Sequence, residues 1–123
     1  MRVEKVDFVS VPTRDLARAV AFYRDVLGLP ESDFSKGEVE TPNVTLSFWD
    51  PEADGEDFRS NTAGFALRVD DVEEAVEEFR AAGGEVIGIQ DSGVCHMGFV
   101  KDLDGNVVIL HKRYAPREKR EQG

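Results

Sequence analysis

The side chains of this sequence best suited to chemistry are two histidines, His96 and His111, the single cysteine, Cys95, and a surplus of carboxylates. Both histidines fall close to Asp102-Leu103-Asp104-Gly105-Asn106, a run whose aspartates, asparagine and glycine suit a tight hairpin turn. Two imidazoles side by side, with Glu38 or Glu40, would make a divalent metal site or a general acid and base pair near neutral pH. Whether they stand side by side depends on the hairpin register. If Leu103 and Asp104 form a two-residue loop, 102 pairs with 105 and 96 with 111, on one face. If Gly105 makes a bulge, 102 pairs with 106, and the one-residue slip sends His96 to the opposite face. Both registers stay open. Cys95 directly precedes His96, and neighbours on a strand point opposite ways, so the two form no nucleophile and base pair. Cys95 reads instead as a small buried hydrophobe. The turn is no calcium loop, since counting from Asp102 its glycine falls fourth rather than sixth and position twelve is Arg113.

The elements that must hold these residues come in two copies. Residues 9–28 align with 65–84 at an offset of 56, matching Asp15 to Asp71, Ala19 to Ala75, Val20 to Val76, Tyr23 to Phe79, Arg24 to Arg80 and Gly28 to Gly84. Each copy opens with a β-branched stretch, residues 5–12 and 64–70, followed by an aspartate placed to cap a helix. Leu16, Ala19, Val20, Tyr23 and Leu27 make one helix face, and Val72, Ala75, Val76, Phe79 and Ala82 the other, with glycines at both helix ends. Three short strands are expected to follow each helix, over 31–36, 38–42 and 43–49 and then 84–90, 95–101 and 106–112. The unit is βαβββ. Module 1 spans residues 1–50 and module 2 spans 62–114, joined by a polar linker over 51–61 and followed by a basic tail over 115–123. Solenoids and propellers need at least three repeats, so two copies must pack on each other or on another chain.

Composition narrows the partners. With 123 residues, 41% hydrophobic and 33% charged, the chain suits a single folded domain with one core. No apolar run reaches the roughly 18 residues of a membrane span, and the first residues lack a signal-peptide core. The expectation is a cytoplasmic protein without a membrane partner, and the lone cysteine agrees with a reducing compartment. The net charge is −10, and because residues 112–123 hold five basic and two acidic side chains, residues 1–111 carry −13. Such a body repels phosphate backbones, which argues against nucleic acid. No phosphate loop, dinucleotide fingerprint or zinc-protease helix is present in the sequence.

The tandem βαβββ pattern, the helix sequence Asp-Leu-Ala-Arg-Ala-Val-Ala-Phe-Tyr-Arg-Asp-Val-Leu-Gly and the ending Phe99-Val100-Lys101-Asp102-Leu103-Asp104-Gly105-Asn106 resemble the vicinal oxygen chelate superfamily. That is the glyoxalase, bleomycin-resistance and extradiol-dioxygenase group. Gly93-Val94-Cys95-His96-Met97 with Leu110-His111-Lys112-Arg113-Tyr114 resembles uncharacterised bacterial members of it. The resemblance implies an α+β fold in which two tandem βαβββ modules form a cup-shaped mixed sheet with helices on its outer face. It also implies a homodimer. In metal-dependent members, ligands come from the first and last strand of each copy, and the matching positions here are Phe8, Leu46, Gly64 and Ile109. None has a lone pair to offer a metal, so the ordinary site is absent and no cofactor is expected. Phe8, Leu46, Phe48, Gly64, Ile109 and His111 would then line a cup for a small apolar or aromatic ligand, as in antibiotic-sequestering members. The alternative is a metal-dependent lyase, isomerase or dioxygenase with a relocated divalent metal ion held by His96, His111 and Glu38 or Glu40. A third reading makes the chain a structural or regulatory dimerisation module whose cup is filled.

Overall fold

The structure, a computed structural model, describes residues 1–116, so most of the basic tail lies outside the described residues. Module 1 consists of β1 (Phe8–Pro12), α1 (Leu16–Asp25), β2 (Glu38–Glu40) and β3 (Thr45–Trp49). A short 3-10 turn, Glu52–Asp54, follows. Module 2 consists of β4 (Phe65–Arg68), α2 (Val72–Ala81), β5 (Glu85–Asp91), β6 (Cys95–Lys101) and β7 (Val107–Arg113). The helices start where an aspartate side chain satisfies a free backbone N–H: Asp15 accepts from Arg18 and Asp71 from Glu74. Beyond their ends, Gly28 and Gly83 take positive φ values of 71° and 87°.

The strands form two mixed sheets, ordered β1-β3-β2 and β4-β7-β6-β5. In each, the first strand of the module runs parallel to the last and the others antiparallel, which repeats the topology as the sequence repeats. The first of the three strands expected after α1, over 31–36, shrinks to one bridge, Glu31 with Val39. Its physical reason is local: Ser32 accepts from the backbone of Phe34 and Ser35, a turn geometry that competes with a ladder.

Helix α1 packs on β2 and β3, and α2 on β5, β6 and β7. Their apolar faces meet alternate strand residues, so Val11, Val39, Leu46 and Phe48 join Val20 and Tyr23, while Val100, Val108 and Leu110 join Val72, Val76 and Phe79. The modules touch through a run of edge-to-face rings: Phe79 to Phe22 at 5.7 Å, Phe22 to Tyr23 at 5.9 Å, Tyr23 to Phe48 at 4.9 Å. Each such pair adds about 0.5–1.5 kcal/mol beyond burial. Hydrogen bonds lock the same seam. Tyr23 donates to Asp102 at 2.7 Å, Thr13 to Asp104 at 2.6 Å, and the Asn106 amide to the carbonyl of Pro12 at 2.7 Å. The Asp-Leu-Asp-Gly-Asn turn is therefore the clasp between the modules.

Candidate ligand-binding site

Each sheet has one face under its helix and one face free of it. In β1 and β3 the core-facing set is Val11, Leu46 and Phe48, all buried, with Val9 partly buried, so Phe8, Ser10, Thr45, Ser47 and Trp49 lie on the open face together with Glu38 and Glu40. In module 2, Val108 and Leu110 face α2, so Ile109 and His111 share the open face with Ala66, Arg68, Met97 and Phe99.

This divides the expected lining. Phe8, 55% exposed, lies on one open face and Ile109 and His111 on another, in a different sheet. Leu46 and Phe48 do not accompany Phe8: they are 3% and 6% exposed and point to α1, Phe48 against the Tyr23 ring. The cause is strand parity. The register pairs Phe8 with Thr45 and Val9 with Leu46, so the polar residues of β3 share the face of Phe8 and the apolar ones fill the core. Gly64 precedes β4, where a side chain would meet Val107 within 2.9 Å.

The two histidines are not together. Lys101 pairs with Val107, and Asp102 N–H donates to the Asn106 carbonyl, so the bulged register holds and His96 pairs with Lys112 while Met97 pairs with His111. His96 and His111 consequently project from opposite faces. His96 instead stands 3.5 Å from Asp91 and packs beside the Tyr114 ring at 4.8 Å. Asp91 accepts from the Gly93 backbone and the Tyr114 hydroxyl; these bonds, the Gly93 one more strongly, hold its carboxyl below the usual range, and the bond to Asp91 pushes the Tyr114 phenol up. Glu38 and Glu40 sit in the other sheet, and Glu40 already accepts from Thr45 at 2.7 Å. Among the described residues no group of three histidines, cysteines or carboxylates is arranged to hold a metal ion. His96, His111, Glu38 and Glu40 are thus not brought together as the relocated site requires. Cys95 is buried, as a small hydrophobe would be.

What the fold does build is a cleft of about 650 Å³ at the seam between modules. Val9, Leu27, Leu29 and Leu46 line it from module 1. From module 2 come Leu110 and the consecutive residues Phe65 to Asp70. Six successive residues can line a cleft only along an edge, and β4 pairs with β7 alone, which leaves its other edge open to the cleft. Apolar walls are therefore accompanied by unpaired backbone donors and acceptors. Thr41, Asn43, Arg68 and Asp70 supply polar side chains. None of Val9, Leu27, Leu29 and Leu67 was singled out as lining by sequence reasoning. The one signal available was Leu27-Gly28-Leu29, two apolar residues left over where α1 has already ended.

The two-sheet architecture is matched by sequence comparison. The family model described as the glyoxalase/bleomycin resistance protein/dioxygenase superfamily matches residues 5–110. The chain belongs to that superfamily. Solved structures of similar fold include the antibiotic-binding protein TnmS3 from Streptomyces sp. CB03234, at 24% identity, TM-score 0.76 and coverage of 92% of this chain and 98% of that one. Another is lactoylglutathione lyase from Agrobacterium tumefaciens, at 22% identity and TM-score 0.73, covering 89% and 94%. A glyoxalase/bleomycin resistance protein/dioxygenase from Nocardioides has 20% identity and TM-score 0.74, covering 100% and 92%. No curated protein matches the chain. At these identities the superfamily members share a fold, and within one fold activities differ. No helix among the described residues is long and apolar enough to cross a membrane.

Proposed function

We propose that this superfamily member binds a small apolar or aromatic molecule in the seam cleft. The observation that carries the reading is the cleft itself: about 650 Å³, walled by Val9, Leu27, Leu29, Leu46, Phe65 and Leu67, with a few polar groups at its margin. Ligand sites of drug-sized molecules have this size and this mixture. The antibiotic-binding relative of similar fold agrees with the reading. We also read the protein as a cytoplasmic homodimer. Support for the dimer comes from apolar side chains that no described residue covers, among them Phe8 and Trp49 on one open face and Ile87 and Ile89 on β5, with Met1, Val3 and Val6 ahead of β1. Its lone cysteine suits a reducing compartment.

Fluorescence titration with the neutral probe N-phenyl-naphthylamine tests the binding. Leu29→Asp puts a charge against the apolar wall, and the probe is expected to bind the variant at least about tenfold more weakly, a loss of about 1.4 kcal/mol or more. Equal binding by a folded Leu29→Asp variant would move the ligand out of the seam cleft.

A further inference from the structure

Beside the seam cleft lies a second concavity of about 400 Å³, lined by Arg68, His111, Arg113 and Ala115. We infer that this cationic pocket binds the anionic end of the ligand, so that the protein takes organic anions: a carboxylate or phosphate monoester carried on an apolar body. The inference rests on the seam-cleft reading and adds the charge of the ligand to it.

Three observations carry it. First, the grouping is set by the sheet. Arg68 of β4 pairs with His111 of the parallel β7, and Arg113 follows His111 by two, so all three project from the open face. Second, the two guanidinium charges are uncompensated. In a chain of net charge −10, no carboxylate lines this pocket, and among the described residues Arg68, His111 and Arg113 take part in no ion pair. Placing two guanidinium groups together repels, and each gains from an oxyanion between them, to which the imidazole can add a ring N–H donor. Third, the Arg113 Nε is buried with no hydrogen-bond acceptor among the described residues, while its other nitrogen donates to the Pro116 carbonyl at 3.2 Å. A buried guanidinium donor without an acceptor is costly, and a ligand oxygen supplies the acceptor.

The link between the two sites is Arg68, which lines both. A ligand whose apolar body lies along the β4 edge therefore brings its far end to Arg68 and, past it, to His111 and Arg113. A neutral ligand fills only the apolar part, and a cationic one meets like charge.

Isothermal titration of the full chain with phenylbutyrate, phenylbutanol, phenylbutylamine, phenyl phosphate and inorganic phosphate tests this. The acid is expected to bind at least about tenfold tighter than the alcohol, the amine to bind weakest, and phenyl phosphate to bind tighter than inorganic phosphate. Arg113→Gln should bring the acid toward the level of the alcohol while leaving the alcohol, which stays in the seam cleft that Arg113 does not line, unchanged. Lys112→Gln, which removes a positive charge from the opposite face of β7, should leave the acid unaffected; unchanged melting temperatures serve as the folding control. Equal affinity for acid and alcohol overturns the anion inference and leaves the apolar reading standing. Phosphate binding as tightly as phenyl phosphate overturns the two-part ligand. If neither alcohol nor acid binds, both readings fall.

Discussion

The Asp102 carboxylate accepts four hydrogen bonds, from the Asp104 and Asn106 backbones on one oxygen and from the Tyr23 hydroxyl and the Asn106 amide on the other. It is 8% exposed, so its negative charge is held by donors rather than by water. Tyr23 is the one donor that arrives from module 1, and it is 1% exposed. Tyr23→Phe removes that donor and keeps the ring, so the expected loss is about 1–3 kcal/mol, measured by urea unfolding. Asp102→Asn should cost more, because an amide group would face donors on at least one side. Burial first, then the Asp102 charge, pushes the Tyr23 phenol far above its ordinary value. In the unfolded chain the phenol ionises above about pH 10, whereas in the fold it keeps its proton. Unfolding then releases a proton, and stability falls as pH rises beyond that point. The slope of stability against pH in that range should be shallower in Tyr23→Phe; an identical slope would assign the alkaline sensitivity elsewhere.

At the level of elements, α2 comes close to the backbone of its sheet at Gly98. A Cβ there would come within 2.5 Å of the Val76 side chain and 3.3 Å of Val72. The bare backbone of β6 is thus what lets α2 seat two valines against its sheet. Gly98→Ala is expected to destabilise by about 1–3 kcal/mol through overpacking. Adding Val76→Ala opens the space again, so the double variant should lose less than the two single effects combined, in a double-mutant cycle of thermal unfolding. Additive losses would mean that the clash is relieved by helix movement. Elements also explain how the expected lining residues divide between faces. Along Thr45-Leu46-Ser47-Phe48 the alternation was plain, and apolar residues at 46 and 48 were assigned to a cup. Both face the helix side, where Phe48 packs on Tyr23 and Leu46 also reaches the seam cleft beside Val9, and the open face receives Thr45 and Ser47. A period of two tells that a strand has two different faces; it leaves open which one a neighbouring helix covers.

For the whole molecule, the modules meet at the ring contacts and the clasp, while both sheets leave a face uncovered and both opening strands, β1 and β4, leave an edge unpaired among the described residues. Ile87 and Ile89 are 54% and 47% exposed on an outer strand. Free apolar edges of this kind favour association. Sedimentation equilibrium is expected to give about twice the 13.7 kDa of one chain, and Phe8→Asp together with Ile89→Lys to shift it toward the monomer. A monomer in the parent protein at working concentration would remove the dimer from the reading.

The internal repeat, the aspartate caps and the period-3.6 faces determine two helices and two matching modules by themselves, because capping and amphipathicity are local and each residue carries its own part of the signal. The sequence also limited metal chemistry, since Phe8, Gly64 and Ile109 hold no lone pair in any fold. Other features needed the third dimension. The hairpin register turned on a one-residue bulge, decided by Asn106 bonding back to Asp102 and across to Pro12, and that choice separated His96 from His111. The seam cleft joins residues tens of positions apart, Leu27 and Leu29 with Phe65 to Asp70, and exists only because the ring contacts and the clasp fix one module against the other. Local patterns are written in neighbouring residues. The distance between two modules depends on side chains from both, and no stretch of sequence contains it.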